Sequence, residues 1–219
     1  MAASTVVGPR KIVNADVDLS GFDLDGVEFR GCAIAQFEHP LGMVVRAGKL
    51  RRCKAVGCSV HGVRFEEILA ENLTFSKLTE FAACAFRHVE LKGRIGPFIT
   101  TPAHYSLPAD AAQAFRDSLV EYYRDVDWAL DISAAEFSDA SIYMVPGDLV
   151  KRDEDTQFLL RRSAFESFAD PLPAVAEIYR GRFSLTPFDS YVAIAPVRSK
   201  NFKEIRDGLM ELKRMGLAE

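Results

Sequence analysis

The sequence lacks the long apolar run of a membrane span and the strong charge of a nucleic-acid-binding protein. None of its hydrophobic stretches approaches the roughly twenty apolar residues that a membrane helix needs. Residues 1–10 lack the basic start and apolar run of a secretion signal, so we expect a cytoplasmic protein. The formal net charge is -4 and charged residues make up 26% of the chain. These ordinary values count against a direct nucleic-acid binder and an extreme anionic mimic.

Cysteine is scarce, and its spacing does not indicate a metal site. The chain has no Cys-x-x-Cys pair, and its four cysteines are Cys32, Cys53, Cys58 and Cys84. All four belong to a pattern of apolar residues at every fifth position, whose side chains are expected to point into the protein interior. Small buried hydrophobic side chains explain them better than zinc or disulfides do. We therefore expect no metal, no cofactor and reduced thiols, which fits the cytoplasm.

Catalytic motifs are also missing. The four histidines are scattered and form no His-Glu-x-x-His motif: His39, His61, His88 and His104. The segment Gly57-Cys58-Ser59-Val60-His61 lacks the second glycine of a nucleophile elbow. The chain has no phosphate-binding glycine loop and no dinucleotide fingerprint. The sequence therefore predicts no catalytic residue and a protein that is not an enzyme.

What the sequence does contain is a run of apolar residues at every fifth position from Val17 to about Leu91. One row is Leu19, Leu24, Phe29 and Ile34, and a second row lies two residues ahead at Val17, Phe22, Val27, Cys32 and Phe37. The period shifts by one residue between Glu38 and Arg52, and again before Phe81. Five matches neither the helical period of about 3.6 nor the strand period of two. A fixed short period of this kind is typical of a solenoid with stacked inward side chains.

Several tripeptides in this region resemble the repeats of the pentapeptide-repeat family. They are Val17-Asp18-Leu19, Phe22-Asp23-Leu24, Val27-Glu28-Phe29, Leu73-Thr74-Phe75 and Ala135-Glu136-Phe137. The resemblance covers Val17 to Leu91 and returns within residues 130–142. It implies a right-handed, roughly square β-helix, although this chain places Val, Phe, Cys and Ile where the family prefers Ala. The segments 127–132 and 195–199 are similar to uncharacterised bacterial repeat proteins, which indicates a bacterial origin.

The rest of the chain predicts helices and a second unit. Ser106-Leu107-Pro108 begins an expected helix near 106–126, and a short strand is expected at 191–194. A last helix is expected after Asn201, with Glu204 completing a capping box and Gly216 ending it. The predicted fold is therefore mainly β: a right-handed β-helix over 1–150 with an inserted helix, and a small α/β module over 151–219.

Outward positions carry charges that alternate in blocks along the chain. The candidate binding residues are Asp18, Asp23, Asp25, Glu28, Arg46, Lys49, Arg51 and Arg52. The functional interpretation is a banded surface that steers a complementary partner. The alternative is that these charges only keep the surface soluble.

These observations favour a non-enzymatic protein-binding module, one version of which is an immunity protein that neutralises a toxin. The family resemblance implies an alternative, a DNA mimic that engages a topoisomerase such as gyrase, although the basic run from Arg46 to Lys54 interrupts the acidity this role requires. A third hypothesis is an enzyme with a site around His104, Tyr105 and Asp110. The expected partner is another protein, with no membrane and no direct nucleic-acid binding, and a second copy could cover an open end of the coil.

Overall fold

A computed structural model describes residues 5–219 and shows, within that range, a mixed α/β fold with three sheets and four α-helices. Fourteen strands precede the first helix: β1 (Thr5–Val7), β2 (Lys11–Val13), β3 (Asp18–Ser20), β4 (Asp23–Asp25), β5 (Val27–Arg30), β6 (Ala33–Ala35), β7 (Met43–Arg51), β8 (Lys54–Val56), β9 (Ser59–His61), β10 (Val63–Glu71), β11 (Thr74–Phe75), β12 (Thr79–Ala82), β13 (Ala85–Ile95) and β14 (Phe98–Thr101). Most of them are short, but β7, β10 and β13 have 9, 9 and 11 residues.

Helix α1 (Ala109–Tyr122) separates these strands from the rest of the chain and continues into a 3-10 turn at Tyr123–Asp125. The remaining elements are β15 (Leu130–Asp131), β16 (Ala135–Phe137), β17 (Ala140–Ile142), a 3-10 turn at Gly147–Leu149, β18 (Val150–Lys151), β19 (Gln157–Arg161), α2 (Arg162–Glu166), α3 (Ala174–Gly181), a 3-10 turn at Arg182–Leu185, β20 (Ser190–Ile194) and α4 (Phe202–Arg214). None of the helices among the described residues has the length and apolarity needed to cross a membrane.

The three sheets are built mainly from parallel strands that lie far apart in sequence. Their strand orders are β1-β5-β8-β11, β18-β15-β13-β10-β7-β3 and β19-β20-β17-β14-β12-β9-β6-β2, with β4 on β7 and β16 on β13. In the register, Leu19 pairs with Val45, Phe65 with Val45 and Phe65 with Phe86. Strand β20 instead pairs antiparallel with β17 and β19. Strands β1, β2 and β3 therefore each lie at an edge of their sheet.

The expectation of a mainly β, right-handed β-helix is wrong, because the fold is mixed α/β. Strands β7, β10 and β13 each extend across two five-residue units instead of forming one face per unit. Helix α1 contributes buried Phe115 and Leu119 to the packing, and antiparallel pairing with three further helices occupies the C-terminal third. A five-residue apolar period specifies which side chains point inward, but it does not fix the number of faces or the length of a strand.

The buried hydrophobic residues between positions 5 and 219 form two cores. The larger core lies between the three sheets and α1, and includes Met43, Val63, Ile95 and Leu130. The second core is formed by residues 143–218 and includes Phe158, Tyr191 and Leu212.

The predicted C-terminal elements can be compared directly with the structure. The expected strand at 191–194 lies within β20, and the expected last helix is α4, so both are confirmed. The capping box is not formed, because the Asn201 side chain makes no capping hydrogen bond. Gly216 follows the end of α4 with a φ of 74°, the left-handed conformation that glycine adopts easily.

Candidate binding groove

The candidate site lies where the three long strands bend side by side. Ala47 in β7, Glu67 in β10 and His88 in β13 have left-handed φ angles of 51°, 55° and 54°. The residues before and after them pair in register, so the three bends align across the sheet. A left-handed conformation costs a residue with a Cβ about 1–2 kcal/mol, which the surrounding strand pairing must offset. The bends bring the side chains of Glu67 and His88 into contact.

His88 is held between two carboxylates. Its Nδ1 lies 2.5 Å from Glu67 Oε1 and its Nε2 lies 2.6 Å from Asp127 Oδ1. Since ionised carboxylates only accept hydrogen bonds, the imidazolium form of the ring, in which both nitrogens donate, satisfies both contacts. The hydrogen bond to Asp127, reinforced by Glu67, raises the pKa of His88 against the opposing effect of burial. The same bond lowers the pKa of Asp127. The histidine side chain is 19% exposed, whereas both acids are largely open to solvent.

Trp128, the single tryptophan of the chain, fixes the orientation of this cluster. Its ring stacks on the His88 ring at a centroid distance of 4.6 Å and an interplanar angle of 25°. The Lys151 ammonium lies 3.7 Å from the centroid of the tryptophan ring, a cation–π contact. We name His88, Glu67, Asp127, Trp128 and Lys151 the His88 cluster.

The His88 cluster borders a surface groove of about 520 Å³. Phe22 forms an apolar part of the groove, and its ring lies so close to Gly48 that a Cβ on Gly48 would stand 2.1 Å from a ring carbon. Side chains of both charge signs also face the groove: Asp23, Lys49, Glu67, His88 and Glu90. Because β7, β10 and β13 supply most of these groups, the groove has a stiff, paired-strand base.

This arrangement offers several groups that can contact a binding partner. A general base needs a free lone pair within reach of its substrate, and both nitrogens of His88 are already in hydrogen-bond contact with carboxylates. The groove instead offers two aromatic rings, exposed carboxylates and the exposed ammonium of Lys49. Aromatic anchors surrounded by polar groups are typical of the residues that dominate protein–protein binding energies.

The structure places the predicted binding residues next to one another in opposite-charge pairs. Arg46 lies 2.5 Å from Asp18, Arg51 lies 2.6 Å from Asp23, and Arg52 pairs with Asp25. Glu28 contacts Arg30 and, at 3.6 Å, Lys54. The acidic and basic blocks of the sequence thus meet across β3, β4 and β7 and largely neutralise each other. Each exposed pair contributes about 0–1 kcal/mol to stability.

Of the eight predicted residues, Asp23 and Lys49 face the groove. Sequence reasoning missed Glu67, His88, Asp127 and Trp128, because it treated His88 as a scattered surface histidine. One signal was available: Glu67 and His88 are 21 positions apart. That separation equals the register offset between β10 and β13, in which Glu66 pairs with Arg87.

The other histidines have structural contacts. His61 is buried, accepts a hydrogen bond from the backbone N–H of His104 at 3.1 Å, and stacks on Phe37. Burial lowers the pKa of His61. At the predicted junction site, the His104 ring packs against Tyr105, whose side chain is 92% exposed. Neither the groove nor the interior cavity of the protein includes His104, Tyr105 or Asp110.

The four cysteines are free thiols. Cys53 and Cys84 are buried, and burial raises the pKa of Cys84 to about 12. Burial also raises the pKa of Cys58, against the opposing effect of a hydrogen bond to the backbone of the neighbouring Cys32. Within residues 5–219, no cluster of three or more His, Cys, Asp or Glu side chains has the geometry to hold a metal ion.

Comparisons with protein-family models, with curated proteins and with solved structures gave no match to this chain. They do not identify the pentapeptide-repeat family, and that resemblance stays a prediction from the sequence.

Proposed function

We propose that this protein is a non-enzymatic protein-binding module and that the groove beside the His88 cluster receives side chains of its partner. The observation that carries the proposal is the groove itself, in which the aromatic rings of Phe22 and Trp128 flank side chains of both charges on three paired strands. A preorganised surface loses little conformational entropy on binding, and this favours affinity.

The charges of the groove define the partner that would fit. The exposed carboxylate of Glu67 suits a lysine or arginine of the partner, and the Lys49 ammonium suits a carboxylate. Phe22 offers apolar contact between them. A toxin-neutralising immunity protein is one version of this proposal, in which the partner is the toxin. The pairing of Asp18, Asp23 and Asp25 with arginines does not support the alternative of a DNA mimic, because such a mimic needs unneutralised acidity.

We also propose that the protein works in the cytoplasm. Its four cysteines are free although Cys32 and Cys58 are neighbours, and thiols of this kind persist where the environment is reducing.

The test is affinity capture with a charge reversal in the groove. Lys49→Glu changes an exposed side chain of the groove, whereas Lys77→Glu makes the same change at an exposed loop position outside it. Each protein is immobilised and incubated with native lysate of the source cells, and retained proteins are identified by mass spectrometry.

We expect a stoichiometric protein that is retained by the wild type and by Lys77→Glu and that is lost, or at least tenfold depleted, with Lys49→Glu. Equal retention of the partner by the two variants would show that it binds outside the groove. Failure of the wild type to retain any stoichiometric protein at low salt would contradict the proposal.

A further inference from the structure

An apolar cavity of about 330 Å³ lies between the three sheets. Each sheet contributes lining side chains, including Phe29 from β5, Ile34 from β6 and Leu19 from β3. Among the described residues, the surface that faces this cavity is entirely apolar. The cavity lies inside the sheets and shares two of its lining residues, Phe22 and Ile68, with the groove, whereas the charged residues of the groove do not line the cavity.

The cavity is closed at one end and accessible at the other. Its lining is mostly buried toward β13 and β15, where Val89, Ile95 and Leu130 have exposed fractions of 4%, 1% and 1% and Leu91 alone is half-buried. Toward the edge strands β3 and β4, Leu19 and Leu24 are only half-buried although they face inward. This gradient of burial places the mouth of the cavity at the end of the sheets formed by the first strands.

The cavity is long rather than round. Lining residues come from five successive strands of one sheet, from Leu19 in β3 to Leu130 in β15. Neighbouring strands are separated by about 4.8 Å, so four steps span about 19 Å. A space of this length and volume is much larger than a packing defect, and its apolar walls do not hold water well.

We infer that this cavity binds a linear hydrocarbon chain, such as the acyl or alkyl chain of a lipid-like small molecule, with its polar end at the mouth. The buried part of the ligand must be apolar, because a buried polar group would find no hydrogen-bond partner on these walls. The volume falls in the range of small-molecule sites, which are about 300–1,000 Å³. A linear hydrocarbon fits an elongated cavity better than a compact ring system does.

The cavity is lined by small as well as large residues, and this suggests a blocking variant. Ala55 lines the cavity and pairs in register with Phe29 on one side and Phe75 on the other. Ala55→Leu adds three carbons to a space that is already open, so it fills the cavity without crowding the strands. Ala114→Leu is the matched control, because Ala114 is exposed on α1.

The experiment measures the fluorescence of trans-parinarate, a linear fatty acid with a single polar end, with the full chain, and its displacement by hexanol, octanol and decanol. We expect one probe per protein, at least tenfold weaker binding to Ala55→Leu, and unchanged binding to Ala114→Leu. Each pair of methylenes added to the competing alcohol should tighten binding roughly fifteenfold, because the buried chain carries the affinity.

Several results would overturn the inference, and the wild type alone suffices for two of them. These are a failure to bind the probe and competition that does not depend on chain length. Equal binding by Ala55→Leu and the wild type would also refute it, because the probe would then sit on the surface. A dimer that covers the mouth and excludes the probe, seen by light scattering, would assign the cavity to a homodimer interface instead. Capture of a partner at the groove is unaffected by any of these results.

Discussion

His88 shows how one side chain can be defined by residues far from it in sequence. Its two carboxylate partners, Glu67 and Asp127, come from β10 and from the segment that follows the 3-10 turn after α1. The histidine was visible in the sequence, but nothing local to it indicates that both nitrogens are occupied. Its protonation state therefore depends on the fold, and so does its contribution to stability.

Replacing His88 should change stability in a pH-dependent manner. Because the folded-state pKa of His88 is raised, its contribution is fully present below the ordinary value of 6.5 and is lost as the pH rises through the folded-state pKa. We expect His88→Gln to lower the thermal unfolding midpoint clearly at about pH 5.5 and much less at about pH 9, as measured by circular dichroism.

Two aspartate variants serve as controls for this measurement. Asp127→Asn removes the strongest partner of His88 and should abolish most of the pH dependence, whereas Asp139→Asn, at an exposed position outside the cluster, should preserve it. A His88→Gln effect that is equal at both pH values would show that the charge of the ring is irrelevant to its role.

Phe29 shows that the five-residue period predicts the direction of a side chain but not how densely it is packed. Its place in the five-residue row correctly predicts that it faces the interior, but it is half-buried and lines the cavity instead of filling a dense core. The period reports the direction of a side chain, whereas packing density depends on which residues of other strands lie opposite. Likewise Glu66, an outward position, accepts a hydrogen bond from the Tyr122 hydroxyl at 3.0 Å.

At the element scale, α1 and the turn after it complete the edge of β13. Strand β15 pairs with β13 at Val89 and Glu90 and does not reach Phe86. The backbone N–H of Phe86 instead donates to the hydroxyl of Tyr123 at 3.1 Å. Tyr123 is buried. Its hydroxyl therefore takes the place of the backbone carbonyl that a neighbouring strand would otherwise offer to this N–H.

Removing that hydroxyl should leave a buried N–H without a partner. We expect Tyr123→Phe to lower the free energy of unfolding by about 1–3 kcal/mol, because the desolvation of the donor is no longer compensated. Tyr122→Phe, which deletes the bond to a carboxylate that keeps access to solvent, should cost less. Urea denaturation of both variants measures the difference, and a Tyr123→Phe cost no larger than that of Tyr122→Phe would refute this role.

The lengths of the strands mark the limit of sequence prediction for the elements. The region of α1 and the last helix follow from apolar faces and breaker residues, and both helices are present. That Met43–Arg51 forms one bent strand could not be inferred, because the bend is made by Ala47 rather than by a glycine. A non-glycine residue in the left-handed region gives no sequence signal and depends on pairing with neighbouring strands.

At the scale of the whole molecule, the sequence revealed the inward rows but not the architecture. Asp18 and Arg46, for example, form an ion pair although they are 28 positions apart in the sequence. The five-residue period shifts between Glu38 and Arg52, so the period alone does not predict which residues on either side of the shift will meet. The mixed α/β character comes from α1 and the C-terminal third, where the five-residue period is absent. The groove follows from both facts, since it needs the register of β7, β10 and β13 together with Trp128 from beyond α1.

The most direct test of the account is photo-crosslinking from inside the groove. A photoreactive phenylalanine analogue replaces Glu90, which faces the groove, or Glu80, an exposed control in β12, and each protein is irradiated in native lysate of the source cells. The account predicts one discrete crosslinked protein from position 90 and none from position 80. The same product from both positions, or no product from position 90, would contradict a protein-binding role for the groove.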